Sequence, residues 1–268
     1  MKYALLDTDF ISKGYAFSVD DEHHLIDRII AMPEYEFICH EQVIRELKRH
    51  DSHAPAWMEE RIREGRIKKY TDAQILEEMT LFYKDIGLYM YTQFLKNACE
   101  AFDSGFFKEY FGELSVFDHS AVTLDDYLVK LRTAETKIGE GRNLGEIKTY
   151  VLLQWLNIQR SEQLYYFCSD DKNARNGILV FDDININCIT LVSSLLRIHI
   201  ETGESIPEIE PYIKAMLAYF SAHDQKTIRV IEASPVGRFE SVACEQVLNE
   251  IFEDKFIELA NGFLKYKS

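Results

Sequence analysis

The 268-residue chain contains no apolar run close to the roughly 20 residues that a helix needs to cross a bilayer; runs such as Val151 to Leu153 and Ile178 to Phe181 fall far below it. No membrane span is expected. From Met1 to Leu6 there is one Lys and a short apolar run that Asp7 stops, too little for a signal-peptide core, so the cytoplasm is the expected compartment. Five scattered cysteines (Cys39, Cys99, Cys168, Cys188, Cys244) form no CxxC pair, which excludes a disulfide framework and a zinc knuckle. Eight histidines form no HExxH, so zinc is not expected. Glycine and proline are sparse, at 12 and 5, which excludes collagen-like or low-complexity character. Positive charge is also short. With 30 Lys and Arg against 45 Asp and Glu, the net charge of −15 counts against passive binding to a polyanion, which depends on cations displacing counterions from phosphates.

What is present is a globular composition, 47% apolar and 28% charged. A chain of this size buries roughly three quarters of its unfolded surface and needs no metal or disulfide to fold. Its charge is uneven: from Glu41 to Tyr70, eight basic residues face six acids, whereas from Thr71 to Leu128 eleven acids face three lysines. Short apolar runs at Lys2 to Leu6, Glu36 to Cys39, Leu164 to Cys168 and Asn187 to Val192 predict buried strands. Between them the spacing predicts helices over Glu41 to Arg49, Thr71 to about Tyr110, Leu124 to about Ile138 and Glu146 to Gln159. Thr123 with Asp126 has the pattern of a capping box, and Gly139, Gly141 and Gly145 predict a loop. Strand alternating with helix implies an α/β fold with a parallel sheet flanked by helices. Residues 1–200 read as one domain with a large helical insertion at about 51–140, and 201–268 as a C-terminal α+β extension in which Thr227 to Glu232 alternates like a strand.

Acidic side chains recur where an open parallel sheet places its ligand crevice, just beyond the carboxyl ends of strands. Asp7 and Asp9 follow the first run, Asp170 and Asp171 follow Cys168, Glu46 lies on the helix after Cys39, and Glu146 opens the helix after Gly145. Each alone is ordinary: an Asp after a strand caps a helix, a Glu in a first turn complements the dipole, and Glu46 amid Arg45, Lys48 and Arg49 suits a solvated face. Together they would repel one another. Two like charges near 4 Å cost on the order of 4 kcal/mol at an effective dielectric of about 20, so an ionised cluster calls for a cation. Oxygen donors without His or Cys select Mg²⁺ or Mn²⁺.

The segments Tyr3-Ala4-Leu5-Leu6-Asp7-Thr8-Asp9-Phe10-Ile11, Glu41-Gln42-Val43-Ile44-Arg45-Glu46-Leu47, Leu144-Gly145-Glu146-Ile147 and Tyr166-Phe167-Cys168-Ser169-Asp170-Asp171-Lys172-Asn173-Ala174-Arg175 resemble, in order and context, the four acidic motifs of PIN domains. These are metal-dependent nucleases that include the toxin ribonucleases of bacterial VapBC toxin-antitoxin systems. The resemblance covers about 1–50 and 140–195. It implies a Mg²⁺- or Mn²⁺-dependent nuclease acting on nucleic acid, RNA foremost, with an antitoxin, another protein or a second copy as partner. Carried over residue by residue, it gives Asp7, Glu46, Glu146 and Asp171 as catalytic and metal-holding acids, with Asp170 at the metal and Thr8, Asp9 and Ser169 in support. Arg45, Lys48, Arg49, Lys172 and Arg175 stand near the motifs as candidate contacts to flanking phosphates. The chain departs from the family at Asn143, where an Asp often precedes the third acid.

Two rivals differ in class. A haloacid-dehalogenase-type phosphatase also begins with a strand and Asp-x-Asp, and would use Asp7 as a covalent nucleophile. It has Thr or Val where this chain has Ile11, and it gives Glu46 and Glu146 no task. A catalytically silent PIN-like module would instead bind a protein through the acidic 71–128 region and the C-terminal extension. The aromatic residues between Tyr83 and Phe111 have the spacing of helix core.

Overall fold

The computed structural model describes residues 2–50, 53–116, 121–138, 143–160, 163–180 and 184–268. Gly139 and Gly141 of the expected loop lie outside them. In chain order the elements are β1 (Lys2–Leu6), α1 (Thr8–Ala16), α2 (Leu25–Ile30), β2 (Tyr35–His40), α3 (Glu41–Leu47), α4 (Ala54–Arg63), β3 (Ile67–Tyr70), α5 (Asp72–Tyr83), α6 (Gly87–Phe102), α7 (Leu124–Thr136) and α8 (Leu144–Gln159). There follow β4 (Tyr165–Cys168), α9 (Lys172–Ile178), β5 (Ile186–Ile189), α10 (Leu191–Thr202), α11 (Ile206–Ala222), β6 (Thr227–Ile231), β7 (Phe239–Ala243), α12 (Cys244–Glu250), β8 (Phe256–Glu258) and β9 (Leu264–Tyr266).

The main sheet is parallel, in the order β3-β2-β1-β4-β5. β1 is its centre, with Leu5 opposite Ile38 of β2 and Leu6 opposite Cys168 of β4. Both faces are covered, so β1 is apolar at every position after Lys2, and its period of two sends alternate residues to opposite layers. Ala4 and Leu6 join a core with α1, α2 and α4, whereas Tyr3 and Leu5 join one with α5 to α8. All five cysteines are free and buried within these layers. Among the described residues, no helix is long and apolar enough to cross a membrane.

The two additions are structural parts of the domain. Within the expected insertion, β3 extends the sheet at its edge and α5 to α7 build most of one covering layer. Beyond residue 200, β7-β6-β9-β8 form a small mixed sheet, and Ile209, Met216, Val230 and Leu248 join the core that holds Ala4 and Leu6. The expected single helix from 71 to 110 is divided: α5 ends at Tyr83, and Lys84 has φ 55°, a left-handed conformation that turns the chain into α6. Thr123 caps α7, accepting the Asp126 N–H.

Candidate functional site

At the point where the chain order reverses, between β1 and β4, the carboxyl ends of the two strands lie side by side. Asp7 N–H donates to the Cys168 carbonyl at 3.1 Å, which carries the strand pairing one residue beyond Leu6. Asp7 caps α1, accepting Thr8 N–H at 2.8 Å on Oδ1, and its Oδ2 accepts the Ser169 hydroxyl at 2.7 Å. With 3% exposure it is a buried carboxylate whose two oxygens are both held. Burial pushes its pKa up to about 7, with Asp9 and Glu46 adding repulsion and the Ser169 and Thr8 hydrogen bonds opposing.

Glu46 reaches the same place from α3. Its Oε2 accepts the Thr8 hydroxyl at 2.8 Å and its Oε1 accepts the Gln42 amide at 3.2 Å. Gln42 lies one turn before Glu46 on one helix face. Its i, i+4 spacing was the available signal, and sequence reasoning missed it. The carboxylate lies against the start of α8, where a Cβ on Gly145 would come within 2.3 Å of Glu46 Oε2, so only glycine admits this approach. One residue on, Glu146 is mostly buried; loss of solvent, then Asp7, Glu46 and Asp171, push its pKa up to about 8. Asp171 caps α9, its Oδ1 accepting Asn173 N–H at 2.6 Å and Ala174 N–H at 3.3 Å, and Ser169 Oγ accepts the Asp171 N–H at 3.1 Å. Ser169 therefore links the first and last acids.

The remaining sequence-predicted residues divide. Lys13 pairs with Asp9 at 2.9 Å and lies 3.9 Å from Asp170, while Asp170 Oδ1 accepts Leu191 N–H at the start of α10. Burial raises the Asp170 pKa against the pull of these two partners. Asp9 and Asp170 thus form a side cluster closed by a lysine. Arg45 is drawn to Glu41 at 2.9 Å and Glu135 at 3.6 Å, and Lys48 to Glu59 at 2.6 Å. Arg175 is turned inward: it is 5% exposed, and its guanidinium donates to the carbonyls of Ser169 and Asn261, fastening the β8–β9 turn to the acid loop. Arg49 and Lys172 are exposed.

A cleft of about 410 Å³ opens beside Glu146 and Asp171 and is also lined by Phe102, Asn143, Asn173 and Asn176. Asn143 donates from Nδ2 to the Phe102 carbonyl at 3.3 Å, which a carboxylate at that position could not do. The amide ties the end of α6 to the start of α8.

Behind the acids lies an ionic group that the sequence did not reveal. Lys148, fully buried on α8, donates to both oxygens of Asp72 at 2.9 and 3.0 Å and to Tyr91 at 3.1 Å, and pairs with Glu135 at 2.6 Å. His40 Nε2 is 3.3 Å from Asp72. Burial opposes the charge on Lys148, but Asp72 and Glu135 outweigh it and hold the ammonium above its ordinary pKa. The helix that carries Glu146 is thereby locked to α5, α6 and α7.

The donor types at Asp7, Glu46, Glu146 and Asp171, all oxygen, are those a hard divalent cation takes, and two of these carboxyls are driven toward protonation by loss of solvent and then by the neighbouring acids. Among the described residues, no group of three or more His, Cys, Asp or Glu side chains is placed so as to hold a metal ion. Comparison with protein-family models, with curated proteins and with solved structures finds no match.

Proposed function

We propose that the chain is a PIN-like, Mg²⁺- or Mn²⁺-dependent nuclease that hydrolyses phosphodiester bonds, with RNA as its foremost substrate. The observation that supports this reading is the convergence of carboxylates from four separate segments, so that partly buried Glu146, raised first by loss of solvent, is raised further by Asp7, Glu46 and Asp171 together. A Mg²⁺ or Mn²⁺ ion held by these four residues would supply water activation near neutral pH and charge stabilisation at the phosphoryl group. The chain's own side chains do the rest. Ser169 and Thr8 N–H orient the Asp7 carboxylate, and Thr8 and Gln42 orient Glu46. Glu146, its pKa pushed up to about 8 chiefly by loss of solvent, favours the protonated form at neutral pH. Arg49 and Lys172 supply the exposed cations for flanking phosphates.

The convergence of Glu46 and Glu146 on Asp7 favours this reading over the covalent phosphatase, which leaves both glutamates idle. The test is cleavage of single-stranded RNA in Mn²⁺ by the wild type and by Asp7→Asn, Glu46→Gln, Glu146→Gln and Asp171→Asn. Each variant is expected to lose activity by more than about 100-fold, since even residues that only support a metal site cost 10–100-fold. A wild type that cleaves no RNA but hydrolyses p-nitrophenyl phosphate, with Glu46→Gln and Glu146→Gln fully active and Asp7→Asn dead, would favour the phosphatase. A wild type that hydrolyses neither substrate would favour the silent module.

A further inference from the structure

The cleft beside the acids differs from them in chemistry. Glu146 and Asp171 stand at one side of it, so whatever enters lies next to the group under attack in the proposed nuclease. Among the described residues, the rest of its lining carries carboxamides (Asn143, Asn173, Asn176) and the apolar Phe102 and Val180, with no Lys, Arg or His. With Glu146 and Asp171 already at its edge, the cleft disfavours a further anionic group deep inside it and favours a neutral occupant. A carboxamide both donates and accepts, as the edge of a nucleobase does, and an aromatic wall suits a planar ring. The volume of about 410 Å³ lies within the about 300–1,000 Å³ of small-ligand sites.

The cleft is also a built feature. Phe102 comes from the end of α6 in the insertion and stands against Gly177 of α9, where a Cβ would come within 2.5 Å of its ring. Asn143 holds the Phe102 backbone in place. Asn173 and Asn176 are three residues apart on α9, the spacing that puts two side chains on one helix face.

We propose that this cleft seats one unpaired nucleobase of a single-stranded RNA, adjacent to the scissile phosphodiester, with Asn173 and Asn176 reading its hydrogen-bonding edge. The inference rests on the nuclease reading for its biological meaning, and the bound base makes that enzyme selective at one position. A base edge is free to enter only from a single strand, so paired RNA should be a poor substrate.

The test compares wild type with the double variant Asn173→Ala/Asn176→Ala, matched for thermal stability, on a single-stranded RNA pool randomised around the cleavage position in Mn²⁺. The wild type should prefer one base at one position next to the cut by about 10-fold or more, as expected for a paired side-chain contact, and the double variant should lose that preference. A wild type with no such preference, or a double variant that retains it, overturns the proposal while leaving the nuclease reading intact. Should the wild type cleave nothing, the pocket is read by NMR with ¹⁵N-labelled protein titrated with adenosine, guanosine, cytidine and uridine. Shifts at Phe102, Gly177 and Val180 that vanish in the double variant uphold the base site although the nuclease reading has failed; no shift with any nucleoside, or shifts that persist in the double variant, overturns it.

Discussion

Replacing Glu146 by Gln removes one of the converging charges while keeping the shape of the side chain, and it should stabilise the protein in alkaline solution. A carboxyl whose folded pKa lies above its unfolded value favours the folded state below the unfolded value, and that advantage is lost as pH rises through the folded one. For Glu146 the window runs from its ordinary 4.5 to about 8. At about 1.4 kcal/mol per pH unit this is equivalent to about 5 kcal/mol, part of it shared with Asp7 because each raises the other. Removing one partner should therefore recover about 2–4 kcal/mol at pH 9 and less than about 1 kcal/mol at pH 5. At about 2 °C per kcal/mol for a domain of this size, the variant should melt roughly 4–8 °C above wild type at pH 9. The assay is thermal and urea denaturation of both proteins in EDTA at the two pH values. A variant less stable than wild type at pH 9, or one whose effect is the same at pH 5, would refute the idea that Glu146 is buried against like charge.

Lys148→Met should destabilise the protein by about 3–5 kcal/mol, because Asp72 and Glu135 would keep their buried charges without the cation; a loss below 1 kcal/mol by urea denaturation would contradict the assigned role. Burial works against the ionised form of Asp72, but Lys148 and His40 hold its pKa well below the ordinary value of 3.8. Its contribution is therefore present above pH 4, and calorimetric scans should show it declining only on further acidification. Asn143→Asp should cost about 1–2 kcal/mol at pH 8, from the lost bond to the Phe102 carbonyl and an added charge beside Glu146; equal stability in denaturant would show that the amide is not the tie described here.

The central part of the fold was legible because β1, β2 and β4 are short runs of apolar residues, each closed by a polar residue. The acids stood out because they fall at those closures. β3 was not legible: Ile67-Lys-Lys-Tyr70 is an edge strand with two exposed lysines, and its charge made it read as a basic stretch. The three-residue strands β8 and β9 are too short for alternation to register, and β7 is largely exposed. Lys148 sits in the middle of an apolar helix and meets Asp72 from 76 residues away, a pairing that no local pattern encodes. Arg175 beside Asp171 invited a phosphate-binding role, and its inward turn depends on Asn261 of the distant C-terminal sheet. Asn143 read as a missing acid, and its partner Phe102 lies 41 residues away on a helix that periodicity did predict, so that only the contact between them escaped local pattern.

Crystals equilibrated with Mn²⁺ and measured for anomalous scattering address the account at its base. A manganese peak among the carboxylates of Asp7, Glu46, Glu146 and Asp171, abolished in Asp7→Asn crystals, is the predicted result. Saturating Mn²⁺ that leaves these oxygens without a peak, or that scatters only at other acids on the surface, would contradict it.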